Sequence, residues 1–328
     1  MHHVDAPVPK HVSSLRTVLT RDANELARNL TNWEQSYDQI SSGSFHGALD
    51  ELDLPGMQVF RESISQSVRQ SCRVRPDAIW FGFTQQPDAT RINGRLIGLD
   101  AVMIRPGNHD FELLTPSSHI IYGIVVDRKL LLAATQRSCC VIDWQRLLAG
   151  EVLKVAAAER SACVAPLAAL LVQRPNRCSE SGMGNENWLL LQQNRVLESL
   201  LVLLDRSVVE AQASRSFQRR CHIVARARDY ILAHKDQAIT MPQLCEQAHV
   251  SRRTLQYCFE DVLDMSPMFY LRRVRLNGVR RQLLDPDSGS HVIGAVAADW
   301  GFDNFSQFSS DYRKLFGESA SASLKLPG

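Results

Sequence analysis

A chain of 328 residues with 45% hydrophobic content is ample for two globular domains, and its formal net charge is only +2. The longest apolar stretches, around 162–172 and 200–204, are too short or interrupted to span a bilayer, and the first 30 residues carry no apolar signal segment. No membrane partner is expected, and the chain is expected to be soluble and cytoplasmic. Eight cysteines include no Cys-x-x-Cys pair, which argues against a zinc ribbon or a redox motif. The Cys139-Cys140 pair leaves a thiol sensor as a minor alternative.

Residues 1–43 are read as an N-terminal segment. From 44 to 126 the pattern is of strands, at 45–54, 58–67, 78–83, 91–97, 101–104, 110–114 and 119–126. Turn signals such as Leu54-Pro55-Gly56, Asn93-Gly94 and Pro106-Gly107-Asn108 separate them. Many short strands at this spacing predict a sandwich or small barrel, and a cupin-like jelly roll is favoured. Such a domain suits a small-molecule effector. Its candidate contacts are Arg61, Glu62, Trp80, Phe83, Arg105 and Phe111, with core packing or surface pairing as the competing reading of each.

A catalytic barrel is the rival. Metal-dependent cupins need a His-x-His followed by a glutamate, and the chain has no His-x-His; His46, His109 and His119 lie far apart, with His109 and Glu112 the closest approach to a ligand pair. No catalytic residue, metal ligand or cofactor required for chemistry is therefore assigned.

Residues 127–209 turn helical, mainly at 128–136, 157–173 and 186–205. Leu189, Gln193, Val196, Leu200 and Leu203 form an apolar stripe with one polar interruption, which suits a dimerisation helix or packing onto the domain's own barrel. Small polar residues at 210–218 read as a linker, and 219–235 as the lead helix of a second domain spanning 219–328. The fold class is thus α+β, with an all-α C-terminal domain.

Within that domain, 240–263 fits two short helices joined by a tight turn. Ser251 is the natural N-cap of the second. At about 100° per residue, Leu255, Cys258, Phe259 and Val262 fall in one arc, with Arg252, Arg253, Gln256 and Tyr257 opposite. Arginine pairs bidentately with guanine and glutamine with adenine in the major groove, so the outer arc suits base readout. A merely solvated face is the alternative for any isolated amphipathic helix, and the flanking pattern tells against it. A connecting helix at 266–284, opened by Ser266-Pro267, spans about 27 Å. Its Arg272, Arg273, Arg275, Arg280 and Arg281 are expected either to meet DNA phosphates or to pair with nearby acids. A second unit, 291–315, turns at Gly301 and is capped by Asn304; Ser306, Gln307 and Ser310 point outward with Phe305 at the edge.

Charge is uneven. Residues 215–281 hold 13 Lys and Arg against 6 Asp and Glu, a difference of +7, whereas 282–328 hold 3 against 6, or −3. Salt-sensitive affinity for double-stranded DNA is expected mainly from the first unit, which should be the dominant head.

Ser251, Leu255, Phe259, Pro267 and Arg275-Leu276, followed by Ala297, Gly301-Phe302, Ser306, Phe308, Tyr312 and Gly317, resemble the AraC family of bacterial transcription regulators. The resemblance implies two helix-turn-helix units on one long helix, and a homodimer that binds promoter DNA, contacts RNA polymerase and answers to a small-molecule effector. Asp264 stands where that family commonly has glycine, and Ala320 where it commonly has proline. A narrower similarity, in NWEQSYDQISSGSFHG from Asn32, QVFRESISQSVRQSC from Gln58 and RPGNHDFELLTP from Arg105, is to regulators of ethanolamine-utilisation operons. It implies ethanolamine and adenosylcobalamin as co-effectors of a catabolic-operon activator. An AraC-type regulator of another pathway, with a different effector or none, remains open.

Overall fold

Strand alternation buries side chains on both faces of the central strands. In β6 (Ala78–Thr84), Trp80 turns to one side while Ile79, Phe81 and Phe83 turn to the other, and all four are buried. The computed structural model describes residues 15–86, 89–138, 142–172, 182–211, 213–285 and 292–324. Cys139 and Cys140, and His291 of the second unit, lie outside them.

Two antiparallel sheets account for the burial. The larger comprises β1 (Arg16–Thr20), β3 (Gly47–Leu54), β4 (Met57–Ile64), β11 (His119–Asp127), β6, β9 (Ala101–Pro106), β12 (Val152–Lys154) and β13 (Val208–Val209), paired in that order. The smaller runs β2 (Trp33–Gln39), β5 (Val68–Val74), β10 (Asp110–Thr115), β7 (Arg91–Ile92) and β8 (Arg95–Leu96). Between them lie Phe60, Trp80, Met103, Cys72, Phe111 and Leu113. The outer face of the larger sheet is covered by α2 (Arg128–Arg137), α3 (Trp144–Ala149), α4 (Ala157–Val172) and α5 (Gly182–Arg206). α1 (Ala23–Asn29) packs its Ala23, Leu26 and Ala27 into the core between the sheets.

Two expectations change, and one open choice is resolved. Neither sheet closes on itself, because β1 and β13 end one ladder and β2 and β8 the other; the strands form two stacked open sheets, not a closed barrel. The stripe on α5 is spent inside the chain: Leu189, Val196, Leu200 and Leu203 are buried with Leu167 and Leu171 of α4. Strands β1 and β2 fall within the stretch read as a separate N-terminal segment, so the sheets begin earlier than the strand pattern suggests.

The remaining helices are α6 (Arg215–Ala233), α7 (Met241–Ala248), α8 (Arg252–Leu263), α9 (Pro267–Leu283), α10 (Ile293–Asp299), α11 (Phe305–Phe316) and α12 (Ala320–Ser323). α9 belongs to two cores. Tyr270, Leu271 and Val274 pack with α6 to α8, whereas Leu276, Val279 and Leu283 pack with α10 to α12. Among the described residues no helix is long and apolar enough to cross a membrane.

Candidate nucleic-acid interface

The first reading head is built by its turn. His249 at φ 53° ends α7, with Val250 N donating to Cys245 O at 3.1 Å. The chain leaves through Ser251, whose Oγ accepts from Thr254 N at 3.2 Å and caps α8. Leu255, Cys258, Phe259 and Val262 then face the core, while Arg252, Arg253 and Tyr257 are exposed and Gln256 is half-buried. Among the described residues, neither Arg252 nor Arg253 has a hydrogen-bond or ion-pair partner within the chain. α8 ends at Asp264, φ 56°, a left-handed position that glycine would hold with less strain and aspartate tolerates better than most residues.

The second head repeats the geometry with different chemistry. Gly301, φ 71°, makes the turn; an added Cβ would come within 2.8 Å of Arg275 Nη2. Asn304 Oδ1 accepts from Gln307 N at 2.9 Å to cap α11. Phe308, Tyr312, Leu315 and Phe316 are buried, leaving Phe305, Ser306, Gln307 and Ser310 exposed. Gln307 Nε2 donates to Asp311 Oδ1 at 3.1 Å, and Asp311 also pairs with Arg272 of α9. Asp311, which no local pattern singles out, thus holds both side chains while leaving them exposed.

On the connecting helix, where either phosphate contact or pairing with nearby acids is expected, protein partners are found for every arginine. Besides Arg272, Arg273 lies over Phe269 and reaches Ser42 Oγ at 3.4 Å. Burial and the neighbouring Arg272 bring the Arg273 guanidinium down to about 10. Arg275 donates to Gly301 O at 3.0 Å and to Gln237 O. Arg280 bonds Asp22 at 2.6 Å and Glu318 at 2.7 Å, and Arg281 bonds Asp38 at 2.5 Å. Burial opposes the charge on Arg280, but Tyr312 and Asp22 outweigh it and raise its pKa. Within the chain, all five arginines of the helix are engaged with protein groups.

Much of what it holds is the sheet domain. Asp38 also meets Arg69 at 3.4 Å, and Glu112 accepts from Arg69 and from Arg228 of α6, at 2.8 Å for the latter. Arg91 donates to Asp261 O at 2.9 Å at the end of α8. Gly43 N and Gln39 Nε2 both donate to Leu315 O, at 2.9 and 2.7 Å, at the end of α11. Both heads are therefore tied to the sheets from behind. None of these partners is signalled by local pattern, since they lie up to 276 residues apart.

The six effector candidates do not converge. Glu62, Trp80 and Phe111 share the interior between the sheets, with Trp80 and Phe111 stacked at 5.0 Å. Phe83 faces the helical layer, and alternation along β4 puts Arg61 on that side too, 3.3 Å from Asp50. Arg105 lies over Phe111 and pairs with Glu151 at 3.2 Å. His119 is buried between Thr84 and Gln86, and burial lowers it to about 4. His109 Nδ1 sits 2.9 Å from Gly107 O, apart from it.

A family model described as a helix-turn-helix domain matches residues 244–325. The "Probable thc operon regulatory protein" of Rhodococcus erythropolis is 36% identical over 103 residues, 31% of this chain and 31% of its own length. The "XylDLEGF operon transcriptional activator 3" of Pseudomonas putida is 29% identical over 130 residues, 40% of this chain and 38% of its own. The chain therefore spans only about a third of the length of these curated relatives. A crystal structure of a probable AraC family transcriptional regulator from Rhodopseudomonas palustris is similar at 32% identity over 31% of this chain and 94% of its own, with a TM-score of 0.29.

Proposed function

We propose that this chain, whose carboxy-terminal region is a DNA-binding helix-turn-helix domain of the AraC type, is a sequence-specific transcription regulator that activates a catabolic operon. One observation carries the reading: two capped helices, each with an outward N-terminal turn, are mounted on one helix whose own charges are already engaged. Seventeen residues of α9 give about 26 Å, of the order of the 34 Å between successive major-groove faces. Arg252 and Arg253, which have no partner among the described residues, together with Gln256 make the first head the main reader; Ser306, Gln307 and Ser310 tune or position. The names of the relatives, operon regulators and activators, support the same direction.

Selection of bound duplexes from a random pool by the full chain, followed by footprinting, tests this. A protected site with a defined sequence is expected, and binding that ignores sequence would overturn it. The footprint also reads whether one or two groove segments are occupied per chain, and whether a second copy binds beside the first. Contact with RNA polymerase and action in the cytoplasm belong to the same proposal.

The effector reading follows from the ties behind the heads: a ligand that shifts the sheet domain changes where α9 and both heads sit. Ethanolamine with adenosylcobalamin is the candidate pair from resemblance. Calorimetric titration of the full chain with each, and with both, should give heat and change duplex affinity; silence in every titration would discard that pair while leaving the DNA reading in place.

A further inference from the structure

We infer that the cleft around the interdomain linker is a binding site for a small phosphate-bearing ligand. A cavity of about 640 Å³ is lined there by Arg95, Arg146, Lys154 and Arg220, with Glu210 as its carboxylate. The four cations come from β8, α3, β12 and α6, so their convergence is a product of the fold and not the solvated face of one helix.

Their partners leave an imbalance. Arg95 and Lys154 share Glu210, at 2.9 and 3.6 Å, and Arg220 bonds Asp261 at 2.7 Å. Arg146, exposed, reaches only the carbonyl of Val209, at 3.4 Å, and has no carboxylate partner among the described residues. Four positive charges thus face two negative ones. A phosphate monoester carries about two negative charges and accepts from forked guanidinium groups, which matches that surplus better than a single carboxylate does.

The cavity continues into a second, of about 360 Å³, that shares Arg95, Glu210, Ala213 and Phe217 and adds Asn93 and Glu151. A ligand with an anionic end and a neutral, hydrogen-bonding body fits both lobes, with Phe217 between them. Ser214 at the mouth caps α6, the helix whose Arg228 holds Glu112 of the sheet. Occupancy of the cleft would therefore bias the placement of the first head; that consequence, unlike binding itself, rests on the regulator reading.

Inorganic pyrophosphate titrated calorimetrically into the full chain, in phosphate-free buffer at about 0.15 M salt, is the probe. Saturable binding is expected, weakened about tenfold or more in Arg146→Ala/Lys154→Ala, whose exposed side chains can be removed without changing the melting temperature. Glu210→Gln should tighten it. Affinity for a duplex of arbitrary sequence, measured in parallel, should change by less than about twofold in the double variant. Equal pyrophosphate binding by wild type and double variant, or no binding by wild type, overturns the site. A loss of duplex affinity in the double variant without pyrophosphate binding would assign these cations to the DNA backbone instead. Failure of the regulator reading would show separately, as duplex binding without sequence preference.

Discussion

Asn277 and Gln39 are joined by a reciprocal pair of hydrogen bonds: Gln39 N donates to Asn277 Oδ1 at 2.8 Å, and Asn277 Nδ2 donates to Gln39 O at 2.9 Å. This is the pairing a neighbouring strand would supply, and Gln39 ends β2, the edge of the smaller sheet. A side-chain amide of the connecting helix thus completes a sheet edge. Asn277→Ala leaves both backbone groups unpaired in a buried place, at a cost of about 2–3 kcal/mol. Hydrogen exchange at the Gln39 amide should accelerate in the variant, and unchanged protection would refute the coupling.

Readout should be unequal between the heads. Arg253→Ala or Gln256→Ala should cost about 1–3 kcal/mol at one matching base pair and relax preference there. Ser306→Ala and Gln307→Ala should change specificity less. Base-by-base competition on a selected operator measures both; a uniform loss across all sequences would move Arg253 to the phosphates.

The salt dependence of duplex binding separates free arginines from engaged ones. Arg252→Ala should lower the slope of log affinity against log salt by about 0.9 if it meets one phosphate. Arg281→Gln should leave the slope unchanged. It should instead lower stability by about 1–2 kcal/mol, because Asp38 keeps Arg69 but loses its closer partner. A reduced slope for Arg281→Gln would return the connecting helix to the DNA interface.

Gly278 marks where the second unit sits on α9. A Cβ there would fall 2.2 Å from the Trp300 ring, whose Nε1 donates to Gln282 Oε1 at 3.0 Å. Gly278→Ala should displace the indole and destabilise the fold by about 1–3 kcal/mol despite the better helix propensity of alanine. Thermal unfolding followed by tryptophan fluorescence reads both effects; a stabilised variant would count against the packing.

Burial pushes the Glu62 carboxyl up to about 7, only partly offset by bonds from Tyr37 Oη at 2.8 Å and Gln70 Nε2 at 3.2 Å. The folded chain keeps a proton that the unfolded chain releases near 4.3, so this contribution is full below that value and is lost as pH rises through about 7. Glu62→Gln removes the titration. Relative to wild type it should gain on the order of 3 kcal/mol between pH 4.5 and pH 8.5 in denaturant unfolding, and parallel profiles for the two proteins would rule the assignment out.

Local chemistry makes much of the helix-turn-helix region legible. Ser251 and Asn304 before their apolar stripes, glycine at 301 and proline at 267 act within three or four residues of themselves, so caps, turns and the two faces of α8 and α11 follow directly. Continuous apolar strands bounded by turn signals, such as β6 and β11, are equally readable. β2 and β5 are not, because their inward positions include Gln35, Gln39 and Gln70, which leaves too few apolar residues for the alternation to stand out.

By itself, then, the sequence determined the α+β class, the two helix-turn-helix units and the side chains each presents, all of which depend on near neighbours. Only the tertiary structure decided where the charges go. Whether an arginine on α9 meets a phosphate or an aspartate depends on Asp22, Asp38 and Glu318 arriving from elsewhere in the chain, and no spacing along the helix encodes that arrival. The same holds for the open sheets and the inward stripe of α5, which are set by which layers cover them.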